Sequence, residues 1–204
     1  LQTRFAPILF TTSASERDYF WGRYWSGFVL VLGLNAFYLL GTFLFSLLPV
    51  KNLGPIDGQA LLAAIGYILV PNTFVLYTLC FGASVLTRSA KSAYLTSMFV
   101  LLAMIFAVSL HEINRAVAIY DPTAFGVLLD QLEHLSPAEK NTYMPALFGD
   151  LMWNRLVWVL LTSIVLWTAR KRFSYKCFSQ AATAKKQKKS KRKHSVKKNQ
   201  STED

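Results

Sequence analysis

Four apolar stretches, residues 27–49, 60–86, 93–110 and 151–168, divide a chain of 204 residues whose charges lie almost entirely between them. A helix needs about 20 residues to cross roughly 30 Å of hydrocarbon, and it satisfies its own backbone polar groups while doing so. The pattern predicts an all-α fold, a polytopic transmembrane helix bundle of four spans. A coupling or interfacial segment (1–26) would precede the membrane domain (27–176), and a basic tail (177–204) would follow it.

The first stretch carries no charge, and Asn35, Thr42 and Ser46 are its only appreciably polar side chains. The second has Pro71 and Asn72 near its middle. Proline lacks the N–H and crowds the preceding turn, so a kink is expected there, with Asn72 helping to satisfy the freed carbonyls. The third is short and would extend to include Ser92 or His111. The fourth begins with Asn154 and Arg155, followed one turn later by Trp158. An arginine near a helix end snorkels to headgroups, so these three residues are expected to anchor that end at an interface.

Orientation follows from the short connections. Arg4, Arg17 and Arg23 precede the first span, Arg88 and Lys91 join the second to the third, and Arg170, Lys171 and Arg172 follow the fourth. These regions alternate correctly to share one side, and the positive-inside rule makes that side, with both termini, cytoplasmic. The opposite side receives 50–59 and a longer loop, 111–150, with six acidic residues against two basic ones. Within that loop residues 123–134 read as an amphipathic helix, and Ser136-Pro-Ala-Glu139 has the spacing of a capping box. The loop serves either as a structural lid on the helix ends or as a surface for substrate or another subunit.

Residues 185–198 hold nine Lys or Arg; without them the formal net charge falls from +11 to +2. With a single valine there is no apolar content to offset ordering entropy, so the tail is expected to be disordered. Such a tail suits anionic membrane lipids and argues for no specific nucleic acid partner.

Motifs for chemistry are missing. There is no glycine-rich phosphate loop with Lys and Ser/Thr, so ATP hydrolysis is not expected on this chain, which reads as no enzyme, with no cofactor and no metal site of its own. Cys80 and Cys177 are too far apart in sequence and in expected compartment to suggest a disulfide or thiol metal site. His111 with Glu112, and Glu133 with His134, lack metal-ligand helical spacing and read as interfacial polar residues. The span centres carry no ionisable pairs of the kind proton pumps use. Asn35, Asn72, Thr73 and Thr96 remain as polar side chains that either line an internal path or mediate helix packing.

Ahead of the first span, Tyr19, Phe20, Trp21, Tyr24 and Trp25 alternate with Glu16, Arg17, Asp18 and Arg23. This reads as a helix lying along the cytoplasmic membrane face, capped by Ser13 or Ser15 and bending inward at Gly22 or Gly27. It is either a simple anchor or a place where a cytoplasmic partner applies force.

Several stretches together resemble the carboxy-terminal part of a bacterial ABC transporter permease of the type-2 exporter family: 4–27, 81–102 with its L-T-R-S-x-x-x-A-Y turn, Tyr120-Asp121-Pro122, 136–161 with A-E-K-N-T and L-x-W-N-R-L-x-W, and 170–175. The resemblance covers about residues 1–176 and leaves the tail aside. It implies six spans per unit, of which these four look like the third to sixth, so that the chain reads as part of a longer permease. It also implies a second permease unit or half, cytoplasmic ATP-binding subunits holding ATP and Mg, and a place in the bacterial inner membrane. By the same likeness residues 11–23 fall in the cytoplasmic coupling loop, with Glu16, Arg17 and Asp18 as contacts and Tyr19 and Trp21 seating the helix. The expected function is permeation of an unidentified substrate, in the export direction, by alternating access; the alternative is a noncatalytic membrane scaffold or assembly subunit with a lipid-binding tail.

Overall fold

The computed structural model describes residues 15–48, 57–111, 120–136, 139–140 and 143–174. Ser13, Glu112, Cys177 and the basic tail lie outside these residues, as does the side chain of His111. Every regular element among the described residues is helical: α1 (Glu16–Ser46), α2 (Gly58–Thr87), α3 (Lys91–His111), α4 (Phe125–Glu133) and α5 (Asp150–Arg172). Four of them, α1, α2, α3 and α5, are long and apolar enough to cross a membrane. Their large side chains point outward to an extent that water would not tolerate: Phe37 is 73% exposed, Tyr94 76% and Phe99 72%. The chain is a multi-pass membrane protein.

Two units divide the chain, Leu1–Gly22 with Arg170–Asp204, and Arg23–Ala169. In the first, Phe20 is buried, meets Phe173 and Trp21 edge to face at 5.5 Å, and has the Arg170 guanidinium 5.8 Å above its ring. Tyr19 stacks on Phe173 at 6.0 Å. Ser15 caps α1: its hydroxyl accepts the Asp18 N–H at 3.2 Å and donates to the Asp18 carboxylate at 2.6 Å. The sequence suggests a bend at Gly22 or Gly27; α1 runs through both positions as one uninterrupted helix of 31 residues, so neither glycine ends it. The reason is energetic: an interior glycine costs about 1 kcal/mol, whereas breaking the ladder strands as many as four N–H and four C=O groups.

In the second unit Gly27 serves packing. A methyl there would meet the Tyr77 hydroxyl, which donates to the Tyr24 carbonyl at 2.8 Å. Around that notch Tyr24 packs with Phe28, Tyr77 and Phe81, and the Tyr24 and Thr78 hydroxyls pair at 2.8 Å. Aromatic bodies with satisfied hydroxyls thus join α1 to α2.

α2 and α3 form a tight hairpin. Arg88 closes α2 in the left-handed region (φ 56°), and Ser92 bonds back to Thr87 and to the Ser89 carbonyl. α5 meets α2 at Gly82, where a methyl would lie 2.6 Å from Cγ1 of Val165. α4 packs on α3, while Ala124, Val127 and Leu151 form a buried cluster with Tyr67 against it. Hydroxyls within the spans bond to carbonyls one turn back, as Thr73 does to Leu69, Ser84 to Cys80 and Thr162 to Trp158. In hydrocarbon, where water offers no alternative, this is how Ser and Thr are accommodated.

A buried polar cluster as the candidate functional site

Pro71 determines the local course of α2. The helix widens into a π-turn over Ile65–Leu69, directly before the proline. Pro71 has no N–H to give the carbonyl four residues earlier, that of Tyr67, and its ring crowds the same atom. A π-turn is one of the few ways a helix absorbs such a conflict without ending. The sequence-based expectation assigned the freed carbonyl to Asn72, but its partner is Arg155, whose Nε donates to the Tyr67 oxygen at 3.0 Å.

Arg155 makes two further bonds. Its Nη1 donates to Asn72 Oδ1 at 2.7 Å and its Nη2 to the Thr123 carbonyl at 3.3 Å. Asn72 completes the triangle, donating through Nδ2 to the same Thr123 carbonyl at 2.9 Å. One turn of α5 thereby holds one turn of α2 and the loop before α4. The planar guanidinium reaches these separated acceptors from three different nitrogens held in a rigid fork, whereas the three donors of an ammonium radiate from one atom. Arg155 is only 7% exposed. This corrects the expectation of a snorkelling anchor: near the start of α5 the side chain turns inward, because unsatisfied carbonyls there offer it bonds that headgroups would otherwise supply.

Asp121, with no exposed surface, supplies the opposite charge. Its carboxylate accepts N–H groups of Thr123 (2.9 Å), Phe125 (2.6 Å) and Gly126 (3.2 Å), and the Thr123 hydroxyl as well. It therefore caps α4 from four residues before the helix, where Ala124, at φ 54°, has no side chain able to do so. The Asp121 carbonyl accepts from Asn154 Nδ2 at 2.7 Å, and Asn154 is likewise fully buried. Arg155 and Asp121 thus oppose each other through Thr123, a buried pair whose remaining hydrogen-bonding capacity is met by backbone groups.

The other predicted positions separate from this cluster. Asn35 Nδ2 donates to the Thr73 hydroxyl at 2.8 Å, which ties α1 to α2 and fits the packing role. Thr96 is half-buried on α3 and is no part of the cluster. Trp158 is half-buried one turn beyond Asn154, and its Nε1 meets no acceptor among the described residues. At the head of α1, Arg17 and Asp18 are exposed, while Glu16 accepts the Ser174 hydroxyl at 3.4 Å. Sequence reasoning missed Asp121, Thr123 and the Tyr67 carbonyl as members of one site. Two signals pointed to them: an Asp-Pro-Thr run that favours an Asx turn, and the rule that a proline strands the carbonyl four residues back.

No protein-family model, curated protein or solved structure matches this chain.

Proposed function

We propose that this chain is the membrane-spanning permease part of an ATP-driven transporter of the ABC exporter type, working with separate cytoplasmic ATP-binding subunits that hold ATP and Mg and with a second permease unit or half. Substrate would cross by alternating access. The observation that supports this reading is α1, a single helix of 31 residues that begins with Glu16, Arg17 and Asp18 and continues as a span. At 1.5 Å per residue it is about 46 Å long, well beyond roughly 30 Å of hydrocarbon. A charged helix end covalently continuous with a span is what transmission of force from a soluble partner requires. The motif likeness in 81–102 and 136–161 adds to it. With Arg88, Lys91 and the Arg170–Arg172 run on one side, the positive-inside rule favours the cytoplasm for that helix end.

The test is purification of the full-length protein from detergent-solubilised membranes, identification of co-purifying subunits by mass, and assay of ATP turnover. Arg17→Glu is the informative variant, since Glu16 and Asp18 have structural bonds of their own. An ATPase subunit should co-purify, and its affinity should fall about tenfold or more in the variant, as reversed charge at a polar interface costs at least about 1.4 kcal/mol. Failure to recover any ATPase subunit, under conditions that retain other membrane partners, refutes the permease reading and favours a scaffold with a lipid-binding tail.

A further inference from the structure

We infer that Arg155 is a conformational latch: it stands in for the N–H that Pro71 lacks and couples the helical register of α2 at Ile65–Leu69 to the seating of the loop and helix Asp121–Glu133. This inference is independent of the transport reading. Each end of the coupling is a distinct bond of one guanidinium, to the Tyr67 carbonyl on α2 and to the Thr123 carbonyl at the loop, with Asn72 braced against both the guanidinium and the loop.

The geometry makes the coupling physical. The π-turn over Ile65–Leu69 is a hydrogen-bond register different from that of the α-helix on either side of it, and such turns are frequent at functional sites. Its stranded carbonyl is held by a side chain of another span, so withdrawal of that side chain leaves an acceptor that α2 can satisfy only by shifting its own ladder. The same withdrawal removes one of two donors from the Thr123 carbonyl, whose residue also binds the Asp121 carboxylate that caps α4. Displacing the loop therefore favours re-packing of α2, and re-packing of α2 favours displacement of the loop, as linkage demands. Arg155 acts through these groups and is a positioning residue.

The discriminating experiment is a double-mutant cycle between Arg155→Gln and Pro71→Ala in the full chain, reconstituted in lipid nanodiscs and followed by amide hydrogen exchange. Arg155→Gln should accelerate exchange about tenfold or more in 65–73 and at Phe125 and Gly126, while α1 and α3 stay as they were. Pro71→Ala returns an N–H to the Tyr67 carbonyl, so the double variant should recover slow exchange in 65–73 yet remain fast at Phe125 and Gly126. Arg155→Lys, which keeps the charge but not the fork, should show the same split with smaller amplitude. Unchanged exchange in Arg155→Gln, acceleration spread evenly over all helices in both Arg155 variants, or failure of Pro71→Ala to restore 65–73 selectively would each overturn the latch.

Discussion

Gly82 offers a quantitative test of how α2 and α5 pack. A Cβ at this position would lie 2.6 Å from Val165 Cγ1, with the Val165 Cβ at 3.9 Å and carbonyl oxygen at 4.0 Å, so the conflict is with one methyl group. Carbon atoms prefer about 3.5–4.0 Å, which means that this methyl must retreat by about 1 Å. Valine in a helix has one strongly favoured χ1 rotamer, so the methyl retreats only if the rotamer is strained or the two helices move apart. Overpacking of this kind costs about 1–3 kcal/mol, against which alanine's better helix propensity returns about 1 kcal/mol. Gly82→Ala should therefore lose about 1 kcal/mol net. Gly33→Ala is the matched control, since nothing lies within 4 Å of a methyl there, and it should be neutral or gain up to about 1 kcal/mol. Tryptophan fluorescence during denaturation in mixed micelles reads both variants. Val165→Ala removes the offending methyl, so Gly82→Ala/Val165→Ala should show a favourable coupling of about 1–2 kcal/mol relative to the sum of the single changes. Equal stability of Gly82→Ala and Gly33→Ala, or the absence of that coupling, would refute the close approach of the two helices at this point.

Two further outcomes follow from the loop. Asp121→Asn leaves one acceptor oxygen where the carboxylate serves three N–H groups and a hydroxyl, and it removes the charge opposing Arg155; a loss of about 2–4 kcal/mol is expected, read as faster exchange of the Phe125 and Gly126 amides. The capping box at Ser136 is formed, with the Glu139 carboxylate accepting the Ser136 N–H at 2.8 Å and the Ser136 hydroxyl accepting the Glu139 N–H at 3.4 Å. The Ser136 hydroxyl, and then its N–H, hold the Glu139 carboxyl below its ordinary value. Because the folded value is the lower one, the contribution of this cap is complete above the unfolded carboxyl pKa, near about 4.3, and fades as pH falls through the depressed value. The Ser136 amide chemical shift should titrate in that acidic window and become flat in Glu139→Gln; a titration unchanged by the substitution would contradict the assignment.

The Ser136 and Ser15 caps were legible because capping depends on residues three apart, and such local chemistry is written in order along the chain. Pro71 announced an irregularity in α2 for the same reason. What answered that irregularity came from 84 positions further on, and no local pattern distinguishes an arginine that snorkels from one that turns inward to a stranded carbonyl. The position of Arg155 near a helix end suits an interfacial anchor, and in sequence terms headgroups and a buried acceptor satisfy its charge equally well. Asn35 and Thr73 stand out in the sequence as polar residues within spans, but their 2.8 Å pairing depends on how α1 and α2 meet.

By itself the sequence determined the four spans, to within a few residues at most ends and eleven at the start of α1, together with the amphipathic helix α4, because the length and hydropathy of each segment are properties of the segment alone. Whether α1 breaks at its glycines or continues, which carbonyl Arg155 binds, how Asp121 caps a helix from four residues away, and where Gly82 and Gly27 admit a neighbour were decided by tertiary structure. Each of these is a choice between competing partners for the same group, and the choice depends on what another part of the chain brings within bonding distance.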